Sequence, residues 1–253
     1  MLSPSLRNFY NRVFVVTAQG FDDRQESVRH ELGEGDFEFV FGVNKDSTSK
    51  EEMIANGVYD ETLAIKLDRR NKAMTLGHIC CSLGHRNVYR QIVENGIERA
   101  LIFEDDAVTL PVPESEIEAS LQNIPRDAEL IYWGWRGTTK PPPHFKLKNW
   151  LYKRQHDLGL LKYTHTMIDN LYPTDFNDHF MKAGKTFLTH SYSVTLSAAE
   201  KLLKLNTPIV LNADNALMFA VLSGDVRAYI SKQQFFGQRS LESDDPISSL
   251  TQS

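Results

Sequence analysis

The chain has 253 residues, of which 41% are hydrophobic and 24% are charged, a mixture typical of a soluble globular protein and not of a disordered chain or a disulfide scaffold. Its 28 Lys and Arg against 33 Asp and Glu give a formal charge of −5, so the global positive field on which non-specific nucleic-acid binding depends is excluded. The adjacent Cys80 and Cys81 fit no zinc or disulfide spacing, and neither a signal peptide nor a membrane span is predicted, so we expect a cytoplasmic protein, with peripheral membrane contact left open.

The first elements predict a parallel α/β unit. Residues 13–16 form a β-branched run, which indicates a strand buried on both faces. Asp22, followed by Gln25, predicts the N-cap of a helix, and residues 37–41 predict a second strand. The order strand, helix, strand is typical of a parallel sheet.

A long helix is predicted over residues 70–95, with Gly96 as its C-terminal stop. Side chains at alternating spacings of four and three mark one inward stripe, which consists of Met74, His78, Cys81, His85, Val88 and Ile92. Residues 100–103 and 130–133 are compact apolar runs and predict two further strands.

Regular elements resume in the C-terminal third of the chain. Ser197 with Glu200 predicts a capping box at the start of a helix. The other predicted elements are a strand at 191–196, a helix at 216–222 and a last strand at 226–230.

The strongest chemical feature is an acidic triplet, Glu104, Asp105 and Asp106, which directly follows the apolar run at 100–103. Adjacent carboxylates repel one another and are stabilised by a cation or by several hydrogen-bond donors. Ligands of open parallel sheets bind beyond the carboxyl ends of the strands, and clustered oxygen ligands suit Mg²⁺ or Mn²⁺ shared with a phosphate. The alternative is a solvated acidic turn, and the triplet by itself leaves both interpretations open.

Two linked segments resemble glycosyltransferase family 25, which includes lipooligosaccharide galactosyltransferases and collagen galactosyltransferases. In the helical segment GHICCSLGH, Cys81 and His85 match the Cys and His of the family pattern, and the segment ALIFEDDA matches its apolar strand and acidic triplet. A later family element, made of a Tyr-containing strand, a small-residue helix and a Pro followed by an Asp, resembles Tyr192, Ala198, Ala199, Pro208 and Asp214.

The resemblance implies an α/β fold of the GT-A type, in which helices flank a Rossmann-like mixed sheet. One domain is expected over residues 1–238, with an acceptor-side insertion at about 139–186 and a polar tail at 239–253. The implied reaction is an inverting transfer of a hexose, typically β-galactose from UDP-galactose, to a hydroxyl of a glycan or glycolipid, assisted by Mn²⁺ or Mg²⁺.

The resemblance also implies roles for the triplet and for one arginine. Asp106, alone or together with Asp105, would hold the metal ion that offsets the charge of the departing diphosphate. Glu104 or Asp105 would accept hydrogen bonds from the ribose. Arg24, which falls where the family carries an Arg in its opening element, would contact phosphate or uracil, and its alternative is a surface arginine on a helix.

Further candidates lie elsewhere in the chain. Asp214 is the preferred general base for the acceptor hydroxyl, with helix N-cap, metal ligand and acceptor ligand as its alternatives. His85 either supports packing or contacts the donor. His190 is a candidate metal ligand, and Cys81 is interpreted as a small buried hydrophobe.

The segment from 139 to 185 opens with three prolines and lacks clear periodicity, so we interpret it as part loop and part irregular helix. Basic side chains surround Trp150 and Tyr152. One interpretation is an acceptor lid, whose aromatic rings stack on sugars while its cations meet acidic glycans or anionic lipid heads. The other is a solvated surface hairpin.

Three functions remain open at this point. The first is a metal-dependent inverting sugar transferase, and the second is another metal-dependent nucleotide-phosphate enzyme, such as a nucleotidyltransferase. The second would need a glycine-rich phosphate loop near the first strand, which Gly20 alone does not supply. The third is a binding module without activity, which the departures from the family pattern at His78, Cys80 and Gly84 suggest.

Overall fold

The structure is a computed structural model that describes residues 1–239. The helices are α1 (Pro4–Phe9), α2 (Asp22–Leu32), α3 (Lys50–Ala55), α4 (Glu61–Leu67), α5 (Leu76–Glu94), α6 (Glu114–Gln122), α7 (Phe145–Asp157), α8 (His165–Asp169), α9 (Leu196–Leu205) and α10 (Ala213–Ser223). The strands are β1 (Arg12–Ala18), β2 (Glu38–Gly42), β3 (Arg99–Glu104), β4 (Ala107–Thr109), β5 (Leu130–Gly137), β6 (Thr174–Asp175), β7 (Phe180–Lys182), β8 (Thr186–Thr195), β9 (Ala228–Ser231) and β10 (Phe236–Gln238). The predicted polar tail lies outside the described residues, apart from Arg239.

The strands form one large mixed sheet in the order β2-β1-β3-β8-β5-β9-β7-β6. β1 is parallel to both β2 and β3, as the strand-helix-strand pattern predicts, whereas β8 runs antiparallel to β3 and β5. A separate antiparallel pair joins β4 to β10. The predicted fold class, an α/β Rossmann-like mixed sheet flanked by helices, is confirmed.

The sheet is buried on both faces, which explains the continuous apolar runs in its central strands. In β1, Phe14 and Val16 pack in one core cluster, on the face where α5, α9 and α10 lie. Val13 and Val15 pack in a second cluster on the opposite face, together with side chains of α1, α2 and α6. Because successive strand residues point to opposite faces, a four-residue run fills both cores.

Two glycines allow α5 to lie close against the sheet. A Cβ on Gly84 would lie 2.5 Å from Val16 Cγ1, and a Cβ on Gly42 would lie 3.2 Å from the Cys80 carbonyl oxygen. Any side chain at Gly84 would therefore push α5 away from β1. The departure from the family pattern at Gly84 has a packing reason here.

The predicted helix starts were wrong at four helices. α10 begins at Ala213 and not at residue 216, because the Asn212 side chain accepts from the Asn215 N–H and caps the helix there. α5 begins at Leu76 and not at residue 70, because the Thr75 hydroxyl accepts from the His78 N–H and caps it there. α2 begins at Asp22, but its N-cap is Phe21, which offers no side-chain cap. α9 is capped by Thr195, two residues before the predicted Ser197, whose hydroxyl instead donates to Glu129.

Two segments contain more regular structure than was predicted. The segment described as part irregular helix contains the regular helix α7, followed by α8 and the strands β6 and β7. β7 pairs with β9, so the second half of the segment extends the main sheet. The strand predicted as the last one, β9, is followed by β10. β6, β7 and β10 have two or three residues each, too few for a periodic pattern.

Among residues 1–239, no helix combines the length and the apolar character that crossing a bilayer requires.

Candidate active site

A cleft of about 370 Å³ opens at the carboxyl ends of the parallel strands β1, β2 and β3. Its walls come from the ends of these strands, from the first turns of α2 and α5, and from the start of α10. The predicted site residues that line it are Arg24, Glu104, Asp105, Asp106 and Asp214. The position is the one expected for the ligand of an open α/β sheet.

Asp105 is held on both carboxylate oxygens by neighbouring side chains. Arg24 Nη1 donates to Oδ1 at 2.7 Å, and the Thr17 hydroxyl donates to Oδ2 at 2.8 Å. Burial raises the pKa of Asp105, although the charge of Arg24 and the Thr17 hydrogen bond oppose that shift. The Arg24 side chain is only 17% exposed, so the interpretation as a surface arginine is wrong.

Glu104 belongs to a buried hydrogen-bond chain behind the cleft. His85 Nε2 lies 3.2 Å from Glu104 Oε1, and because a carboxylate only accepts, the histidine is the donor. Thr189 donates to the same oxygen. On its other side, His85 Nδ1 lies 2.8 Å from the Tyr192 hydroxyl, which lies 2.7 Å from the Tyr89 hydroxyl.

These hydrogen bonds keep the Glu104 carboxylate charged. Burial acts to raise its pKa, but the hydrogen bond and charge of His85 and the hydrogen bond from Thr189 outweigh it and lower the pKa. His85 does not itself line the cleft, so its described contacts fit the packing-support interpretation, acting through Glu104.

Asp106 is bound to the last described strand. Gln238 Nε2 donates to Asp106 Oδ2 at 2.9 Å, and the Arg239 N–H donates to its main-chain carbonyl at 2.8 Å. Oδ1 is enclosed and has no hydrogen-bond partner among the described residues. Burial and the nearby charge of Glu104 raise the pKa of Asp106 to about 7.

Asp214 lies in the first turn of α10, where the helix dipole favours a negative charge. Asn212 is the N-cap of this helix and accepts from the Asn215 N–H at 2.8 Å, so the N-cap interpretation of Asp214 is wrong. Asp214 Oδ1 is buried and has no partner within the described part of the chain. Burial and the charge of Glu104 raise the pKa of Asp214 to about 6.

A bulge in β8 forms the wall between Glu104 and Asp214. The pairing of β5 with β8 shifts between Gly134, opposite Ser191, and Arg136, opposite Phe187. The extra residues of β8 include Leu188, which has a φ of 76°, a value rare for a branched side chain. Leu188 and Thr189 both line the cleft, so the irregular backbone places them against the site.

Two groups of side chains carry atoms that could bind a divalent cation. Cys81, His85 and Glu104 bring donor atoms within 4.8 Å of one another, but both ring nitrogens of His85 have hydrogen-bond contacts, and burial and Glu104 raise the pKa of the Cys81 thiol well above its usual value. A neutral thiol, and an imidazole whose two ring nitrogens are both engaged in hydrogen bonds, do not bind Mn²⁺ or Mg²⁺. Asp106 fits better, because its Oδ1 is enclosed beside the cleft and has no partner among residues 1–239, and such ions bind through one or two carboxylates plus substrate phosphates.

Two of the sequence-based roles change or stay untested. Cys81 is only partly buried and lines the cleft, so it is not simply a core hydrophobe. His190 is buried, with Nε2 3.3 Å from the Phe236 carbonyl oxygen, and its charge lowers the pKa of Glu104. It does not line the cleft, and its role as a metal ligand stays a prediction.

Three polar residues of the site were missed at the sequence level: Thr17, Thr189 and Gln238. Thr17 directly follows the first apolar run, and its position beside the triplet follows once β1 and β3 are paired. No sequence pattern connects Gln238 with Asp106, because the two residues lie 132 positions apart in the chain.

The buried tyrosines provide a matched test of the chain behind Glu104. We expect Tyr192→Phe to lower the free energy of unfolding by about 1–3 kcal/mol, because His85 and Tyr89 both lose a buried hydrogen-bond partner. Tyr132 lies directly opposite Tyr192 in the sheet, and its buried hydroxyl has no partner among residues 1–239. Tyr132→Phe is therefore expected to leave stability unchanged or raise it in urea titrations. Equal losses in both variants would contradict the assigned chain.

Comparison with known families adds one finding. A model of glycosyltransferase family 25, described as an LPS biosynthesis protein, matches residues 11–217. The matched range contains the acidic triplet, the cleft wall from β8 and Asp214, and it ends before β9 and β10.

Proposed function

The chain belongs to glycosyltransferase family 25, and we propose that its cleft transfers a hexose, β-galactose from UDP-galactose, with inversion to a hydroxyl of a glycan or glycolipid acceptor. The observation that carries the proposal is the arrangement of carboxylates at the carboxyl ends of the parallel strands. Two of them, Asp106 and Asp214, each keep a buried oxygen without a described partner. Such oxygens favour a cation or a proton donor, which a metal-bound nucleotide sugar and an acceptor hydroxyl supply.

On the donor side, Asp106 would hold Mn²⁺ or Mg²⁺ together with the diphosphate. When bound, the ion would act as a Lewis acid that stabilises the negative charge developing on the leaving diphosphate. Asp105 fixes the Arg24 guanidinium in the lining of the cleft, where it can face a phosphate or the uracil ring of the donor. Glu104, kept ionised by His85 and Thr189, is available to accept from ribose hydroxyls.

On the acceptor side, Asp214 acts as the general base. An inverting displacement needs a base that takes the acceptor proton on the side of the sugar opposite the leaving group. A carboxyl group with a pKa of about 6 is mostly ionised at neutral pH and is still basic enough to accept a proton. Its Oδ1, which has no hydrogen-bond partner in the described part of the chain, is the atom we assign to this task.

The partners follow from this reaction. The donor is a nucleotide sugar, and the description of the family as LPS biosynthesis proteins supports a glycan or glycolipid acceptor. A cytoplasmic location with peripheral membrane contact is part of the same proposal. The adjacent free cysteines Cys80 and Cys81 support a reducing compartment.

Thermal stabilisation by a donor panel tests the proposal. UDP-, GDP- and CMP-sugars would each be added to the full chain with and without Mn²⁺. We expect UDP-galactose with Mn²⁺ to give the largest rise in melting temperature, because a ligand bound only by the folded state stabilises it by mass action. UDP-galactose without metal should give a smaller rise.

Two outcomes would contradict the assignment. A response only to free nucleoside triphosphates would favour a nucleotidyltransferase, and no response to any nucleotide would favour a binding module without transfer activity. A metal-dependent response that is largest with another UDP-sugar would keep the transferase and change the donor.

A further inference from the structure

Helix α7 presents apolar side chains to solvent. Within α7, Leu147, Trp150 and Leu151 are 59%, 53% and 47% exposed, and Leu158, the C-cap residue that directly follows the helix, is 73% exposed. At 100° per residue these positions fall within one arc of the helix surface. Large apolar residues scattered singly on a surface are ordinary, but three on one helical face, continued by a fourth at the C-cap, form a patch that marks a binding surface.

The opposite face of α7 attaches the helix to the protein. Tyr152 packs with the cluster that includes Met167 and Ile168, and Asn149 Nδ2 donates to the Ile168 carbonyl at 3.1 Å. Lys153 Nζ forms an ion pair with Asp169 at 2.7 Å. These contacts all lie on α8, so α7 is held with its apolar arc outward.

Positive charge is concentrated on the same segment. Residues 139–162 contain six Lys and Arg but a single acidic residue, Asp157, a formal charge of +5. Because the whole chain carries −5, the remainder carries −10. Within α7, Lys146 and Lys148 flank the apolar arc on its two sides, and Arg154 lies within the arc over the Trp150 ring. A basic, apolar arc in an otherwise acidic protein has the charge pattern of an interfacial helix.

We propose that α7 lies in the headgroup region of an anionic membrane, with Leu147, Trp150, Leu151 and Leu158 inserted among the lipids and the flanking lysines on the headgroups. Charge favours this occupant over a symmetric dimer formed through α7, since such a dimer would bring two basic arcs together. Insertion of α7 would supply the peripheral membrane contact that is part of the proposed function. It does not depend on sugar transfer.

Vesicle flotation with the full chain tests the proposal. We expect the protein to float with vesicles of equal parts phosphatidylglycerol and phosphatidylethanolamine. With vesicles of phosphatidylcholine alone it should remain in the bottom fraction of the gradient. Added salt should weaken binding, because it screens the attraction between the lysines and the lipid phosphates. The double variant Leu147→Ser/Leu151→Ser should lose roughly tenfold or more in vesicle affinity.

The matched control is Ile54→Ser/Leu63→Ser, which removes two exposed apolar side chains from α3 and α4. It should float like the wild type. Trp133 and Trp135 are buried, so a blue shift of tryptophan emission on adding vesicles would report on Trp150, and Trp150→Phe should abolish the shift.

Several results would overturn the proposal. Wild-type protein that stays down with anionic vesicles, or a Leu147→Ser/Leu151→Ser variant that floats equally well, would do so. A wild-type dimer in size exclusion that this variant abolishes, without vesicle binding, would assign the face to a second copy. No donor, metal or sugar enters these assays, so their failure and the failure of the proposed transfer are separate outcomes.

Discussion

Asp106→Asn is expected to abolish the Mn²⁺-dependent binding of UDP-galactose and to lower sugar transfer by about 10³-fold. The change removes one negative charge and keeps the shape, and its amide oxygen can still accept from Gln238. Stabilisation of the leaving diphosphate by a bound metal is worth several kcal/mol, and each 1.36 kcal/mol is a factor of ten in rate. Isothermal titration with UDP and Mn²⁺ and a radiochemical transfer assay would measure the two effects.

The stability of this variant shows whether its fold is intact. In the metal-free wild type, the raised pKa of Asp106 means that stability present at low pH is lost as the pH rises towards about 7. Asparagine carries no such cost. At pH 4 the variant should melt at the wild-type temperature or above it, and the excess of its melting temperature over that of the wild type should grow as the pH is raised to 8. Asp178→Asn, at an exposed carboxylate between β6 and β7, is the control and should change neither binding nor transfer. Wild-type turnover in Asp106→Asn would remove Asp106 from the site.

Asp214→Asn is expected to spare donor binding and to lower kcat by about 10²–10⁴-fold, the usual contribution of a general base. Asn cannot take the acceptor proton, but it leaves Asp106, Glu104 and Arg24 in place. Initial-rate kinetics and UDP titration would separate kcat from donor affinity. Asp225→Asn, an exposed carboxylate just beyond the other end of α10, is the matched control and should retain wild-type kcat.

The pH profile of the wild type tests the same residue. A base is active when ionised, so kcat/KM, measured at saturating Mn²⁺ so that the metal keeps Asp106 ionised, should rise with pH and level off above about 6, the pKa to which burial and the charge of Glu104 raise Asp214. Asp214→Asn should lose this rising limb. Retained transfer with an unchanged profile would refute the assignment of Asp214 as the base.

The central strands and the acidic edge were predictable from sequence because they depend on short-range patterns. The apolar runs of β1 and β3 are buried on both faces, and the triplet follows β3 directly, so their pairing places Thr17 beside Asp105. The order of elements alone then places the cleft at the carboxyl ends of the parallel strands.

The rest of the site depends on contacts that short segments do not encode. β10 is three residues long and is stabilised by pairing with β4, so nothing local identified Gln238 as a partner of Asp106. Thr189 faces Glu104 because of a bulge in β8, which depends on its pairing with β5. The regularity of α7 was missed because its apolar and aromatic side chains lie on two faces, with Leu147, Trp150 and Leu151 outward and Tyr152 packed towards α8, so the sequence shows no single apolar stripe.

Crystals soaked with Mn²⁺ and UDP, and measured by anomalous scattering at the manganese edge, would test the site most directly. The proposed mechanism predicts an anomalous peak beside the Asp106 carboxylate, with the diphosphate in the cleft lined by Arg24 and Glu104. An anomalous peak at another place would contradict this mechanism. So would crystals that show no manganese peak and have UDP bound outside this cleft.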